Sequence, residues 1–159
     1  CLRQFPIEDT VFLESGPGLG TTLLLLKIQG YNCVGVEAQS DRHRFSGVLK
    51  DVARELGIDV RGLTFHRGIF PLGKPRLRKK TKIAISTNVV SGVTSQREEE
   101  ILDEFSKMDH LIIDIGAFGV ARAGEEKLEL ERRIISRGMK KKGTLYRSGR
   151  TEIVHYSKE

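Results

Sequence analysis

The stretch Val11-Phe12-Leu13-Glu14-Ser15-Gly16-Pro17-Gly18-Leu19-Gly20-Thr21 decides how this chain is read. Its first three residues are an apolar run of strand length, and the leucine-rich run from Thr22 to Ile28 predicts a helix packed on a sheet. Between them, Gly16, Gly18 and Gly20 allow a sharp turn. Glycine reaches positive φ at little cost and has no side chain to hold a ligand away. The helix beyond aims free N–H groups at whatever occupies the turn. Strand, glycine turn and helix together predict a nucleotide cradle.

Working outward, Cys33-Val34-Gly35-Val36 reads as a second buried strand that ends in Glu37. An acid about 20 residues beyond the first glycine, at the tip of the next strand, is placed to accept both ribose hydroxyls of a nucleoside. We expect its carboxylate to be exposed there, with little part in the core. Apolar residues at Phe45, Val48, Leu49, Val52, Ala53 and Leu56 predict an amphipathic helix over 41–56, stopped by Gly57. Val60 to Phe65 predicts a third strand. The segment after it, HRGIFPLGKPRLRKKTK, is rich in Gly, Pro and basic residues, so a loop is expected where a regular alternation would place a crossover helix.

Lys82 to Ser86 predicts a fourth strand with the polar tip Ser86-Thr87-Asn88. A helix over 96–108 follows, then Leu111-Ile112-Ile113 running into Asp114, then a helix over 125–137 closed by Gly138. Thr144–Tyr146 and Thr151–Tyr156 flank Arg147-Ser148-Gly149-Arg150, which reads as a tight hairpin. An alternating, parallel α/β pattern therefore finishes in an antiparallel pair.

With 159 residues and 38% hydrophobic content, the chain suffices for one sheet-based domain, 1–159, with no linker expected. It holds no apolar run of roughly 18 residues and its start lacks a signal-peptide pattern, so a soluble, cytoplasmic protein is expected, with no membrane partner. The first residue is Cys1 rather than methionine, which suggests a piece upstream. Cys1 and Cys33 have neither disulfide-framework nor metal-ligand spacing. His43, His110 and His155 are too scattered to suggest a metal site, and none is expected.

The net charge of +6 is clustered in KPRLRKKTK (74–82) and in RGMKKKG and YRSGR (137–150), which suggests a polyanionic partner. Lys74, Arg76, Arg78, Lys79 and Lys80 are the candidate contacts to nucleic acid. A solvated basic surface is the competing reading, since no aromatic residue interleaves the first cluster to stack on bases.

The chain resembles the class I S-adenosylmethionine-dependent methyltransferases. The resemblance rests on VFLESGPGLGT, on VGVEA at 34–38, and on the strand sequence with its closing hairpin, and it covers nearly all residues. It implies a Rossmann-like, mostly parallel seven-stranded sheet of order 3-2-1-4-5-7-6 with helices on both faces, three layers in all. It also implies S-adenosylmethionine as cofactor, its methionine part held by Glu14, Gly16, Gly18 and Gly20 and its ribose by Glu37. Ile69, after Gly68, stands where the family often carries a polar contact to adenine, and is expected to pack on the base as an apolar wall.

A nicotinamide-dinucleotide domain shares the first turn and the acid. Its fingerprint, however, asks for Gly or Ala where Thr21 stands, and has no need of Glu14. The fourth strand tip lacks the Asp/Asn-Pro-Pro-aromatic signature of amino-methylating DNA enzymes, and no cysteine stands there as a nucleophile. Methyl transfer from an activated sulfonium needs mainly alignment, so catalytic residues are hard to read from sequence. The candidates are Asn88, Asp114 and His66, all expected beyond strand ends, where ligands bind in open α/β sheets. Asn88 as a turn cap, Asp114 as a partner of loop amides and an uninvolved loop His66 are the structural alternatives. Two functions stay open: a methyltransferase with RNA as the leading acceptor class, or a non-catalytic domain that binds nucleic acid or a protein partner.

Overall fold

The computed structural model describes residues 4–38, 40–87, 95–116, 124–149 and 151–158. Among them, β1 (Thr10–Ser15), α1 (Thr21–Ile28), β2 (Asn32–Glu37), α2 (Ser40–Glu55), β3 (Leu63–Arg67), β4 (Thr81–Ser86), α3 (Ser95–Phe105), β5 (His110–Asp114), α4 (Gly124–Ser136), β6 (Lys140–Ser148) and β7 (Thr151–Ser157) follow in order. The strands form one sheet of order β3-β2-β1-β4-β5-β7-β6, the order implied by the resemblance. The chain divides into two compact units, Cys1–Lys82 and Ile83–Glu159.

In the first unit β1, β2 and β3 are parallel, with Glu14 opposite Gly35, and Glu37 opposite Arg67. β1 is buried along its whole length, as a central parallel strand covered on both faces should be. Phe12, Leu13, Leu23, Cys33 and Leu63 are 0–1% exposed. Burying each large apolar side chain contributes about 1.5–3 kcal/mol. Phe12 meets Tyr31 edge-on at 5.0 Å between ring centroids, and the Tyr31 hydroxyl donates to the Phe5 carbonyl at 3.1 Å. That contact anchors the segment before β1, for which the sequence offered no pattern.

The third strand begins at Leu63, three residues later than its β-branched start at Val60 suggests, and runs on to Arg67. Turn chemistry outweighs the propensity of Val60: the Asp59 carboxylate accepts the Arg61 N–H at 2.9 Å, and Gly62 takes φ 79°. His66 therefore lies inside β3, opposite Val36, and not in the loop beyond it. No helix forms between β3 and β4, in agreement with the expected loop. Gly68 and Gly73 fold that loop on itself: a Cβ on either would lie 2.8 Å from the other's Cα.

In the second unit β4 and β5 are parallel, and β7 runs antiparallel between β5 and β6. Ile83, Phe105, Leu111, Ile113, Leu130, Val154 and Tyr156 are among its most enclosed core residues. Ion pairs join helix α3 to α4 and to the residue just after it: Arg133 of α4 to Glu98 at 2.6 Å and to Glu99, and Arg137 to Asp103 at 2.7 Å and to Glu99. The hairpin is longer than its sequence suggests. β6 begins at Lys140, because the lysine run pairs with the end of β7 through two bulges that the turn residues do not foretell.

Candidate functional site

The loop between β1 and α1 is built from its backbone. Gly16, Gly18 and Gly20 take φ values of 65°, 56° and 82°, a region other residues enter only under strain. The Gly16 N–H donates to the Val36 carbonyl at 2.9 Å, tying the start of the loop to the next strand. The Gly20 N–H closes the turn on the Pro17 carbonyl at 2.8 Å. The Leu24 N–H then bonds the Gly20 carbonyl at 2.9 Å and starts α1. Gly20 caps that helix with no side-chain oxygen, which leaves the first-turn amides to other acceptors.

Glu37 comes to this loop, as its spacing predicted, but it is not the exposed strand-tip acid that was expected. It is 4% exposed, and its Oε2 accepts the Gly18 N–H at 3.1 Å. Its own carbonyl accepts the Gly68 N–H at 2.9 Å, which fixes where the loop after β3 begins. Ile69, the next residue, is 54% exposed. Glu14 is buried near the end of β1, opposite Gly35. Glu14, the three glycines, Glu37 and the start of the 68–73 loop thus share the carboxyl ends of β1, β2 and β3.

Gly18 and Gly20 do different work. A Cβ on Gly18 would meet no atom within 4 Å, so that side of the loop is open. One on Gly20 would lie 2.5 Å from Phe65 Cζ, and one on Gly35 would lie 2.8 Å from Phe65 Cδ1 and from Pro17 Cγ. Gly20 therefore makes room for the Phe65 ring beneath the loop rather than for a ligand above it. Phe65 and Gly35 were not picked out as site residues. A glycine in the middle of an apolar strand was the available signal, since it marks close approach of a neighbour.

Nearby Cys33 is no nucleophile. Burial, opposed by Lys27 and aided by Glu14, pushes its thiol up to about 12. Among the described residues no group of three or more His, Cys, Asp and Glu side chains is placed to hold a metal ion. No helix among them is long and apolar enough to cross a membrane.

The remaining candidates are Asn88, Asp114 and His66. Asn88 lies outside the described residues. Asp114, at the end of β5, is 3% exposed, and its Oδ1 accepts the N–H of Gly116 and of Glu152, each at 2.9 Å. Its carboxylate thus serves loop and strand amides. His66 is half-buried within β3. The basic loop is divided in its commitments. The Lys79 ammonium donates to the Glu8 carbonyl at 2.5 Å and Lys80 faces Asp9 at 3.5 Å, whereas Arg76 and Arg78 are exposed.

No protein-family model and no curated protein matches the sequence. Among solved structures, the chain superposes on the ribosomal protein L11 methylase from Lactobacillus delbrueckii subsp. bulgaricus with a TM-score of 0.67 at 10% identity. That match covers 98% of this chain and 73% of the other. Magnesium protoporphyrin IX methyltransferase from Synechocystis PCC 6803, solved with bound S-adenosylmethionine, matches at TM-score 0.68 and 15% identity, over 93% of this chain and 69% of that one. An O-methyltransferase family 2 protein from Planctomyces limnophilus, in complex with apigenin, matches at 0.68 and 15% identity, over 94% of this chain and 51% of the other. The fold is that of the class I S-adenosylmethionine-dependent methyltransferases.

Proposed function

We propose that this chain binds S-adenosylmethionine in the loop from Glu14 to Thr21 and is a methyltransferase, with RNA as the leading acceptor class. The observation that carries the reading is the bond from the Gly18 N–H to the Glu37 carboxylate. It joins the glycine turn and the ribose-binding acid into one cradle at the carboxyl ends of β1 and β2, where ligands of open α/β sheets sit. The residues fit the cofactor: Gly18 presents an open side, the first amides of α1 lack a side-chain cap, and Ile69 is an exposed apolar residue one position after Gly68, whose N–H bonds the Glu37 carbonyl.

Bound there, the cofactor would supply a methyl group already activated on a sulfonium. Gly16, Gly18 and Gly20 would shape the loop that holds its methionine part, together with Glu14 near the end of β1. Glu37 would accept the ribose hydroxyls, and Ile69 would pack on the base. The protein's remaining task is alignment of the acceptor, which needs no strong acid or base. Asn88, at the polar tip beyond β4, is our candidate for it. Arg76 and Arg78 are the loop cations on offer to an RNA backbone.

Calorimetry with S-adenosylmethionine, its demethylated product and NAD in parallel tests the reading. The product should bind and raise the melting temperature, as any ligand specific for the folded state does. Binding of NAD without the methyl cofactor would overturn it.

A further inference from the structure

β6 is the last strand of the sheet and nine residues long, so among the described residues one whole edge of it has no strand beside it. Its side chains alternate between two faces, and the register shows which. Lys141, Thr144 and Arg147 stand opposite Tyr156, Val154 and Glu152. On that face the cations are spent: Lys141 bonds Glu131 at 2.5 Å and Arg147 pairs with Glu152. Lys140, Gly143 and Tyr146 stand on the other face, opposite Ser157, His155 and Ile153. Lys142, at the first bulge, lies close enough to His155 for its charge to lower that residue's pKa.

This second face has a different composition of charge and ring. Lys140 and Lys142 are exposed and make no ion pair among the described residues. Gly143 leaves the strand bare between them and Tyr146, since a Cβ there would meet nothing within 4 Å. Tyr146 is 54% exposed and Leu145, at the second bulge, 43%. Lysines and bulges on an edge strand ordinarily guard it against pairing with other chains. An exposed tyrosine and leucine give no such protection. An unpaired cation pair, a bare step and an exposed ring on one face instead match what a single nucleic-acid strand needs: charges for its phosphates and an aromatic face for its bases.

We infer that the β6 edge, through Lys140, Lys142 and Tyr146, is a binding surface for single-stranded RNA. A nine-residue strand spans about 30 Å, enough for several nucleotides to lie along it. The single strand is favoured over a duplex because Tyr146 can stack only on bases that are not already paired. The inference rests on the proposed methyltransferase reading only in choosing RNA, and it needs no cofactor to operate.

Fluorescence anisotropy of a labelled single-stranded RNA of mixed sequence, titrated with the whole chain, tests it. Lys140→Glu/Lys142→Glu should weaken binding tenfold or more, and make the dependence of log affinity on log salt shallower by about 1.4, the value for two lost single-strand phosphate contacts. Tyr146→Ala should weaken binding about five- to a hundredfold, as loss of one stacked base does. Circular dichroism confirms that each variant folds. Arg54→Glu/Arg61→Glu, at exposed cations outside both basic clusters, should keep most of the affinity. The inference is overturned by no binding by the parent, by equal binding by the β6 variants, or by an equal loss in the Arg54/Arg61 variant. Tighter binding to the same sequence as a duplex also overturns it. Calorimetry with S-adenosylhomocysteine on the same samples separates this from the cofactor reading, since the β6 variants should bind it as the parent does.

Discussion

The Gly18 amide and the Glu37 carboxylate, nineteen residues apart in sequence, are joined by a hydrogen bond of 3.1 Å. One acid thus has two tasks: it fixes the glycine turn through Gly18, and in the proposed function it receives the ribose. Glu37→Gln separates them. The amide keeps one oxygen to accept the Gly18 N–H but loses the charge. Cofactor binding should weaken about ten- to a hundredfold, the value of a charge-assisted hydrogen bond of about 1.5–3 kcal/mol. Denaturant unfolding should show a loss of about 1 kcal/mol, because Glu37 is buried. Calorimetry showing parental cofactor affinity would remove Glu37 from the ribose site.

Gly18 and Gly20 share a left-handed backbone but not their surroundings. Gly18→Ala should cost only the strain of a side chain at positive φ, about 1–2 kcal/mol. Gly20→Ala should cost about 2–4 kcal/mol, because its Cβ also meets the Phe65 ring at 2.5 Å. Adding Phe65→Leu to Gly20→Ala should recover part of that loss, and additive costs in urea unfolding would refute the packing argument. Gly18→Val, by contrast, fills the open side of the loop and should abolish cofactor binding with a modest loss of stability.

Helix α4 is clipped to α3 through Arg133, whose partner Glu98 has a side chain only 7% exposed. Arg133→Ala removes the guanidinium that pairs with that carboxylate. The expected loss is about 2 kcal/mol, below the range for a fully buried pair because Arg133 itself is partly exposed. A double variant with Glu98→Gln should be more stable than Arg133→Ala alone. If thermal unfolding of the two coincides, the pair is decorative.

His155 and His110 face each other across β7 and β5, Nε2 to Nδ1 at 3.2 Å. Burial, then the neighbouring His110 and Lys142, hold the His155 pKa below its ordinary 6.5. The folded state therefore resists the proton that the unfolded chain accepts, so stability is retained above the unfolded pKa and falls as pH drops below about 6.5. Melting temperatures should decline from pH 7 to pH 5, and His155→Gln should flatten the decline. A parental profile in that variant would assign the pH dependence elsewhere.

The sequence by itself determined the order of elements and the glycine turn between β1 and α1. Apolar runs of strand length, helical periodicity and glycine spacing are local, and each maps onto backbone geometry without knowledge of distant residues. That is why the three glycines, Glu37 and the closing hairpin could be read directly. The missing crossover helix was legible too, because prolines and glycines forbid one locally. Tertiary structure decided what depends on who sits opposite whom. Phe65 claims the space at Gly20, Glu37 is buried against the Gly18 amide, and Asp114 is taken up by the amides of Gly116 and Glu152. The lysine run at 140–142 became an edge strand because β7 supplied the pairing, and only that register sorts its spent cations from those left on the open face. Partners so far apart in the chain leave no periodic trace, since they are chosen by packing and by the satisfaction of buried polar groups.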